Sequence, residues 1–113
     1  MTRRDPNVAL RQMLDHAREA QTLSAGKERA DLDDDRLLDL ALTRLLEIIG
    51  EAANRVPPDI QAQHPAVPWA QIVSLRNRLI HGYDAVDLDI LWQIIRHDLP
   101  SLITTLEKIV GDN

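Results

Sequence analysis

The sequence contains no cysteine and no phenylalanine, and its only aromatic rings are Trp69, Trp92 and Tyr83. Without cysteine there can be neither a disulfide framework nor a thiolate metal site, which fits a reducing compartment. With so few rings the core must be aliphatic, filled by Leu, Ile, Val and Ala, a composition suited to helices that interdigitate through leucine. No apolar run approaches the ~20 residues that cross a bilayer. The N-terminal stretch Met1-Thr2-Arg3-Arg4-Asp5-Pro6 lacks the apolar centre of a signal peptide, so the expectation is a soluble cytoplasmic protein. No run alternates with period two, no long repeat appears, and no glycine-rich phosphate loop is present. At 113 residues a single domain, 1–113, is expected, with burial that is marginal unless a partner adds to it.

Positive charge is scarce as well. Only two lysines accompany the arginines, and the formal net charge is −5. The field of the whole chain repels nucleic acid, so any RNA contact has to come from a local cationic patch. The stretch from Pro65 to Tyr83 is the candidate, because it holds Arg76 and Arg78 and no Asp or Glu. Arginine is the useful cation there, since its planar fork can hold two phosphate oxygens together.

What is abundant is helical periodicity. Asp5 followed by Pro6 reads as an N-cap and first helical position, and Val8, Leu10, Met13, Leu14, Ala17 and Leu23 keep helical spacing as far as Gly26. Lys27 to Asp35 reads as an acidic connection ending in an N-cap aspartate. Asp31, Asp33, Asp34 and Asp35 suit a solvated helix start better than a metal site. The best-patterned helix runs from Arg36 to Val56 and is stopped by Pro57-Pro58. Near its end Gly50, Ala52 and Ala53 leave a low surface that another helix backbone could approach closely. Asp59 to Gln63 suggests one short turn. The next helix is expected from Pro68 to Ile80 or His81, with Gly82 as its stop. The last starts at the N-cap candidate Asp87 and keeps phase through Pro100, as one kinked helix or two abutting ones. The fold class expected is all-α: an antiparallel four-helix bundle with a short extra helical turn and a kinked C-terminal helix.

Chemistry concentrates in Arg76-Asn77-Arg78-Leu79-Ile80-His81-Gly82-Tyr83. Arg76 falls in phase with the apolar residues Trp69, Ile72, Val73, Leu79, Ile80 and Tyr83, where a guanidinium needs a partner or a polar opening. If the helix continues, Arg76 and Tyr83 are nearly eclipsed, and Asn77 and His81 share a neighbouring face. His81 before Gly82 would then sit at a helix C-terminus, where the dipole favours imidazolium. Such a histidine can take the proton of a ribose 2′-hydroxyl while an arginine holds the phosphate and its developing charge, without a metal. The structural alternative pairs Arg76 with Glu47 or Glu51 of the preceding helix. His16, His64 and His97 lack metal-ligand spacing and read as surface or packing residues. Trp69 and Trp92 read as anchors of the core or of a dimer interface.

The eight-residue segment resembles the signature of the HepT-like branch of the HEPN superfamily: Arg, four residues, His, one residue, Tyr, with Asn after the Arg. The neighbouring segments are similar in order and spacing: Leu46-Glu47-Ile48-Ile49-Gly50-Glu51-Ala52-Ala53, Val67-Pro68-Trp69, Asp87-Leu88 and Asp98-Leu99-Pro100. The match extends from about Asp35 to the C-terminus. The resemblance implies an α-helical homodimer whose two motif helices build one cleft. It implies a toxin ribonuclease of a toxin–antitoxin system, with no cofactor and no metal, partnered by a minimal nucleotidyltransferase antitoxin of the MntA type. Arg76 and His81 would be the catalytic pair, with Asn77 and Arg78 supporting RNA. Tyr83 would be the residue to which the antitoxin attaches AMP, blocking the cleft by charge and volume. Asp84 adds an acidic group beside that cleft. Because the HEPN fold also serves in binding alone, the alternative is a non-catalytic helical dimer acting as a protein-interaction or nucleotide-binding module.

Overall fold

The computed structural model describes residues 5–81 and 85–111, with His81 as backbone. Helix α1, Pro6–Ser24, begins where the Asp5 carboxylate accepts the Asn7 N–H at 2.9 Å, with Pro6 supplying a preset first turn. Its inner face buries Leu10, Met13, Leu14, Ala17 and Ala20. The acidic connection that follows contains an unexpected short helix α2, Asp31–Asp34. Leu32 drives it: this one apolar side chain among the aspartates is buried, and a single helical turn puts it inward while the carboxylates stay in water.

Helix α3, Arg36–Arg55, is the centre of the fold. The Asp35 carboxylate caps it by accepting the Leu38 N–H at 3.0 Å. Leu42, Leu46, Ile49 and Ala53, at helical spacing, are fully covered. The principal packing of α1 is against α3, with α8, Leu99–Val110, on its other flank. Helix α4, Pro58–Gln63, matches the expected short turn. All the buried apolar residues join one cluster, the aliphatic core implied by the missing rings.

The motif segment departs from the single helix expected. It forms α5, Trp69–Val73, and α6, Leu75–Leu79, separated at Ser74. Ser74 sits at φ −91° and ψ 11°, and its hydroxyl donates to the Gln71 carbonyl at 3.1 Å, a local bond that competes with the helix ladder. After Leu79 the chain turns extended. Strand β1, Ile80–His81, pairs antiparallel with β2, Ala85–Val86, with Ile80 opposite Val86 and His81 opposite Ala85. The Asp87 N–H donates to the Leu79 carbonyl at 2.7 Å and closes the base of this hairpin. A two-residue ladder is too short to show alternation, so no period-two signal betrayed it.

Helix α7, Leu88–Gln93, starts at Asp87 as expected; its carboxylate accepts the N–H groups of Asp89 and Ile90, both at 3.1 Å. The break expected at Pro100 takes the form of a π turn, Ile94–Asp98, directly before α8. The Leu99 N–H bonds the Ile94 carbonyl across that wider turn, which absorbs the donor that proline lacks without ending the helix.

Candidate functional site

Gly50 sets the position of the motif helices. A Cβ at Gly50 would lie 2.9 Å from the Ile72 carbonyl oxygen and 3.7 Å from the Leu75 Cβ, so the α5–α6 backbone rests directly on α3 where the side chain is absent. This is the close approach expected of the Gly50-Ala52-Ala53 surface. Two grooves result, one on each side of the crossing.

On one side Glu47, Gly50, Glu51 and Asn54 of α3 face Val73, Arg76 and Asn77 across a groove of about 260 Å³. Arg76 is exposed there, which corrects its placement in a buried stripe. Leu75 and Leu79, one helical turn apart, are the buried face of α6; Arg76, the next residue after Leu75, is turned outward by about 100°. The internal pairing of Arg76 with Glu47 or Glu51 does not form. Both carboxylates are turned to Arg44 instead: its Nη1 lies 3.3 Å from Glu51 Oε1 and 3.9 Å from Glu47 Oε2. Among the described residues Arg76 makes no ion pair.

Arg78 lies on the other side, so the structure separates it from Arg76 and Asn77. Its Nη2 is 3.7 Å from Asp98 Oδ2 in the π turn, and it borders a second groove of about 190 Å³ floored by Leu46, Ile49, Ile72, Leu75 and Ile94. Two positions apart on a helix is about 200° of rotation, so adjacency in sequence put these arginines back to back. His81 lies on β1 and not at the helix C-terminus expected for it. Its side chain, with Gly82, Tyr83 and Asp84, falls outside the described residues.

The model of the ribonuclease HepT-like family matches residues 13–109, including the whole motif and the face of α3 beneath it. The chain belongs to the ribonuclease HepT-like family. A Thermococcus cleftensis protein named "Probable ribonuclease HepT" is 41% identical over 75 residues, covering 66% of this chain and 68% of that protein. Two Methanocaldococcus jannaschii proteins carry the name "Putative RNase". One is 33% identical over 96% of this chain and 100% of its own length, and the other 29% identical over 99% and 93%. No solved structure matches the chain.

In this HepT-like chain Gln61, which the motif analysis passed over, and Trp69, read there as an anchor, hold the site in place. The Gln61 amide of α4 donates to the Ala53 and Val56 carbonyls at the end of α3, at 3.2 and 3.0 Å. The Trp69 indole N–H is shared between the Gln61 and His64 carbonyls, both at 3.0 Å. Together they tie the C-terminus of α3, the whole of α4 and the first turn of α5 into one polar spine. The sequence signal was the short turn between two proline pairs, whose orphan carbonyls needed donors from somewhere.

The remaining candidates lie away from the groove. Trp92 is half-buried, with the Arg96 guanidinium 5.2 Å from its ring centroid. His16 Nδ1 is 2.7 Å from the Gln12 carbonyl of its own helix, while His97 is exposed on the π turn. Arg29 links α2 to α7 through Asp89 at 2.7 Å and Asp33 at 3.2 Å. Asp89 first, and then Asp33, push its guanidinium further up from an already high value. Among the described residues no three His, Asp or Glu side chains group to hold a metal ion, and no helix is long and apolar enough to cross a membrane.

Proposed function

We propose that this HepT-like chain is a metal-independent ribonuclease and the toxin half of a toxin–antitoxin pair. One observation carries the reading: the motif arginine, Arg76, stands exposed beside a groove whose two carboxylates are already engaged by Arg44. A guanidinium that no carboxylate among the described residues claims is available to a phosphate. The family names of the relatives support the substrate class.

In this mechanism His81 accepts the proton of a ribose 2′-hydroxyl, and the 2′-oxygen attacks the adjacent phosphorus. The bond to the 5′-oxygen breaks, and that oxygen leaves with a proton returned by the imidazolium. Arg76 stabilises the charge that develops on the non-bridging oxygens. Asn77, exposed in the same groove, hydrogen-bonds the backbone of the substrate, and Arg78 holds a second phosphate once the strand crosses α6. The working unit is a homodimer in the cytoplasm, with both motif segments lining one cleft. An MntA-type nucleotidyltransferase silences it: the Tyr83 hydroxyl attacks the α-phosphorus of ATP, pyrophosphate leaves, and the AMP places a phosphate where the RNA phosphate would sit.

The test is RNA cleavage in EDTA by the wild type, Arg76→Ala and His81→Ala. The variants are expected to be slower by about 10²-fold or more. Equal rates for all three would leave a helical interaction module in place of an enzyme. Incubation with the nucleotidyltransferase and ATP is expected to raise the intact mass in AMP steps, and Tyr83→Phe to abolish the gain.

A further inference from the structure

The second groove, on the side of α6 away from Arg76, joins an apolar floor to charged walls. Ile72, Leu75 and Ile94 build the floor, and the volume is about 190 Å³. That is less than the ~300–1,000 Å³ of pockets that enclose drug-sized ligands, so a single planar ring system fits and a helix of ~10 Å diameter does not. Charged groups enter from two elements, Arg78 from α6 and Asp98 from the π turn. A small apolar cavity with a few convergent polar groups is the usual form of a site that binds and orients one ring.

Arg78 and Asp98 stand 3.7 Å apart, too far for a hydrogen bond, and their side chains are 36% and 52% exposed. So loose and open a pair contributes little, and a ligand can part it at small cost. Once parted, the two groups suit different chemistry. The guanidinium takes a phosphate, while the ionised carboxylate can only accept hydrogen bonds. Of the four RNA bases guanine alone presents two adjacent donors, N1–H and the N2 amino group, which point the same way and match both oxygens of one carboxylate. Adenine and cytosine set a ring acceptor beside their amino group, and uracil flanks its N3–H with two carbonyls, so each turns an acceptor toward Asp98. Unstacked RNA bases are commonly read on these edges while the ring packs in a pocket.

We propose that this pocket takes the guanine base of the nucleotide whose phosphate Arg78 holds, and that Asp98 makes guanine the preferred base there. The source of that nucleotide, an RNA strand, rests on the ribonuclease reading above. A strand running from Arg76 to Arg78 crosses the ~10 Å width of α6, and the base on the far side meets the mouth of the pocket. The ring covers Ile72, Leu75 and Ile94, and its Watson–Crick edge meets the carboxylate. Asp98 sets specificity and moves no proton of the reaction.

The experiment measures, by fluorescence anisotropy at low salt, the binding of labelled oligoadenylates to the full chain made inactive by His81→Ala. One central adenosine is replaced by guanosine, inosine, cytidine or uridine. The guanosine oligomer is expected to bind about tenfold tighter than the all-adenosine one. Inosine, which keeps N1–H and lacks the N2 amino group, should fall between them. Asp98→Asn, a change at an exposed side chain, is expected to erase the order, whereas Arg78→Ala weakens every oligomer alike and keeps it. A guanosine preference that survives Asp98→Asn overturns the proposal. So do affinities independent of the base, which would leave the pocket to an apolar side chain of a partner protein. Guanosine 5′-monophosphate, titrated in parallel, is expected to bind more weakly than the guanosine oligomer by about tenfold or more, because it brings a single phosphate. Equal binding would assign the pocket to a free nucleotide and overturn its role in reading RNA. None of these measurements needs catalysis. A wild type that fails to cleave RNA would sink the ribonuclease reading, while the affinities would still decide the pocket.

Discussion

Arg76 and Gly50 do opposite things at one crossing, and both depend on what is missing beside them. Arg76 is available because Arg44 occupies the carboxylates within its reach; Gly50 admits the Ile72 carbonyl because it has no Cβ. Gly50→Ala therefore sets two effects against each other. Alanine gains about 1 kcal/mol of helix propensity, but its Cβ meets a backbone oxygen at 2.9 Å, and overpacking against backbone costs about 1–3 kcal/mol. The clash is expected to win, lowering the midpoint of thermal unfolding by roughly 4 °C, and to slow RNA cleavage because α6 has to move off α3. A midpoint that stays level or rises would mean that the crossing relaxes freely. The role of Gly50 was legible in the run Gly50-Glu51-Ala52-Ala53, since small residues on one helix invite another backbone. The exposure of Arg76 was not, because the buried face runs through Ile72, Leu75 and Leu79, and Val73 and Arg76, counted into the stripe by sequence, fall beside it.

At the scale of the element, caps were the most readable feature of the chain. Asp5, Asp35 and Asp87 each stand where an aspartate precedes a helical pattern, and each side chain accepts an N–H of the first turn. Asp87 has a further task, because its own N–H closes the base of the hairpin on Leu79. Asp87→Ala removes the cap and keeps that backbone bond, so it is expected to cost about 1 kcal/mol. The urea midpoint should fall accordingly, and Asp87→Asn should restore most of it. An unchanged midpoint in Asp87→Ala would show that packing of Leu91 alone holds the start of α7. The hairpin and the Ser74 break went unread for a physical reason. A two-residue ladder and a one-residue interruption are set by tertiary partners, and neither is long enough to leave a period. The π turn is a middle case: Pro100 announced a lost donor, but not the wider turn that accommodates it.

For the whole molecule, charge decides how RNA can be held. A chain of net charge −5 repels RNA as a whole, and its two motif arginines border different grooves on either side of α6. If two copies contribute Arg76 and Arg78, about four phosphates are neutralised, and log affinity for single-stranded RNA should fall with log salt at a slope of about −3. Titrations between 50 and 200 mM salt, on an inactive His81→Ala protein, would check this; a slope beyond about −6 would require more phosphate contacts than these four arginines supply. The amino-acid sequence alone determined the helical class, the aliphatic core, the capped helix starts and the segment that carries the chemistry, because periodicity, capping and residue chemistry are local properties. Tertiary structure alone decided that Arg76 stands exposed beside Glu47 and Glu51 without pairing with them, and that Leu37 and Leu40 stay uncovered. Those outcomes depend on which helix packs on which face, and so on distances between residues far apart in the chain.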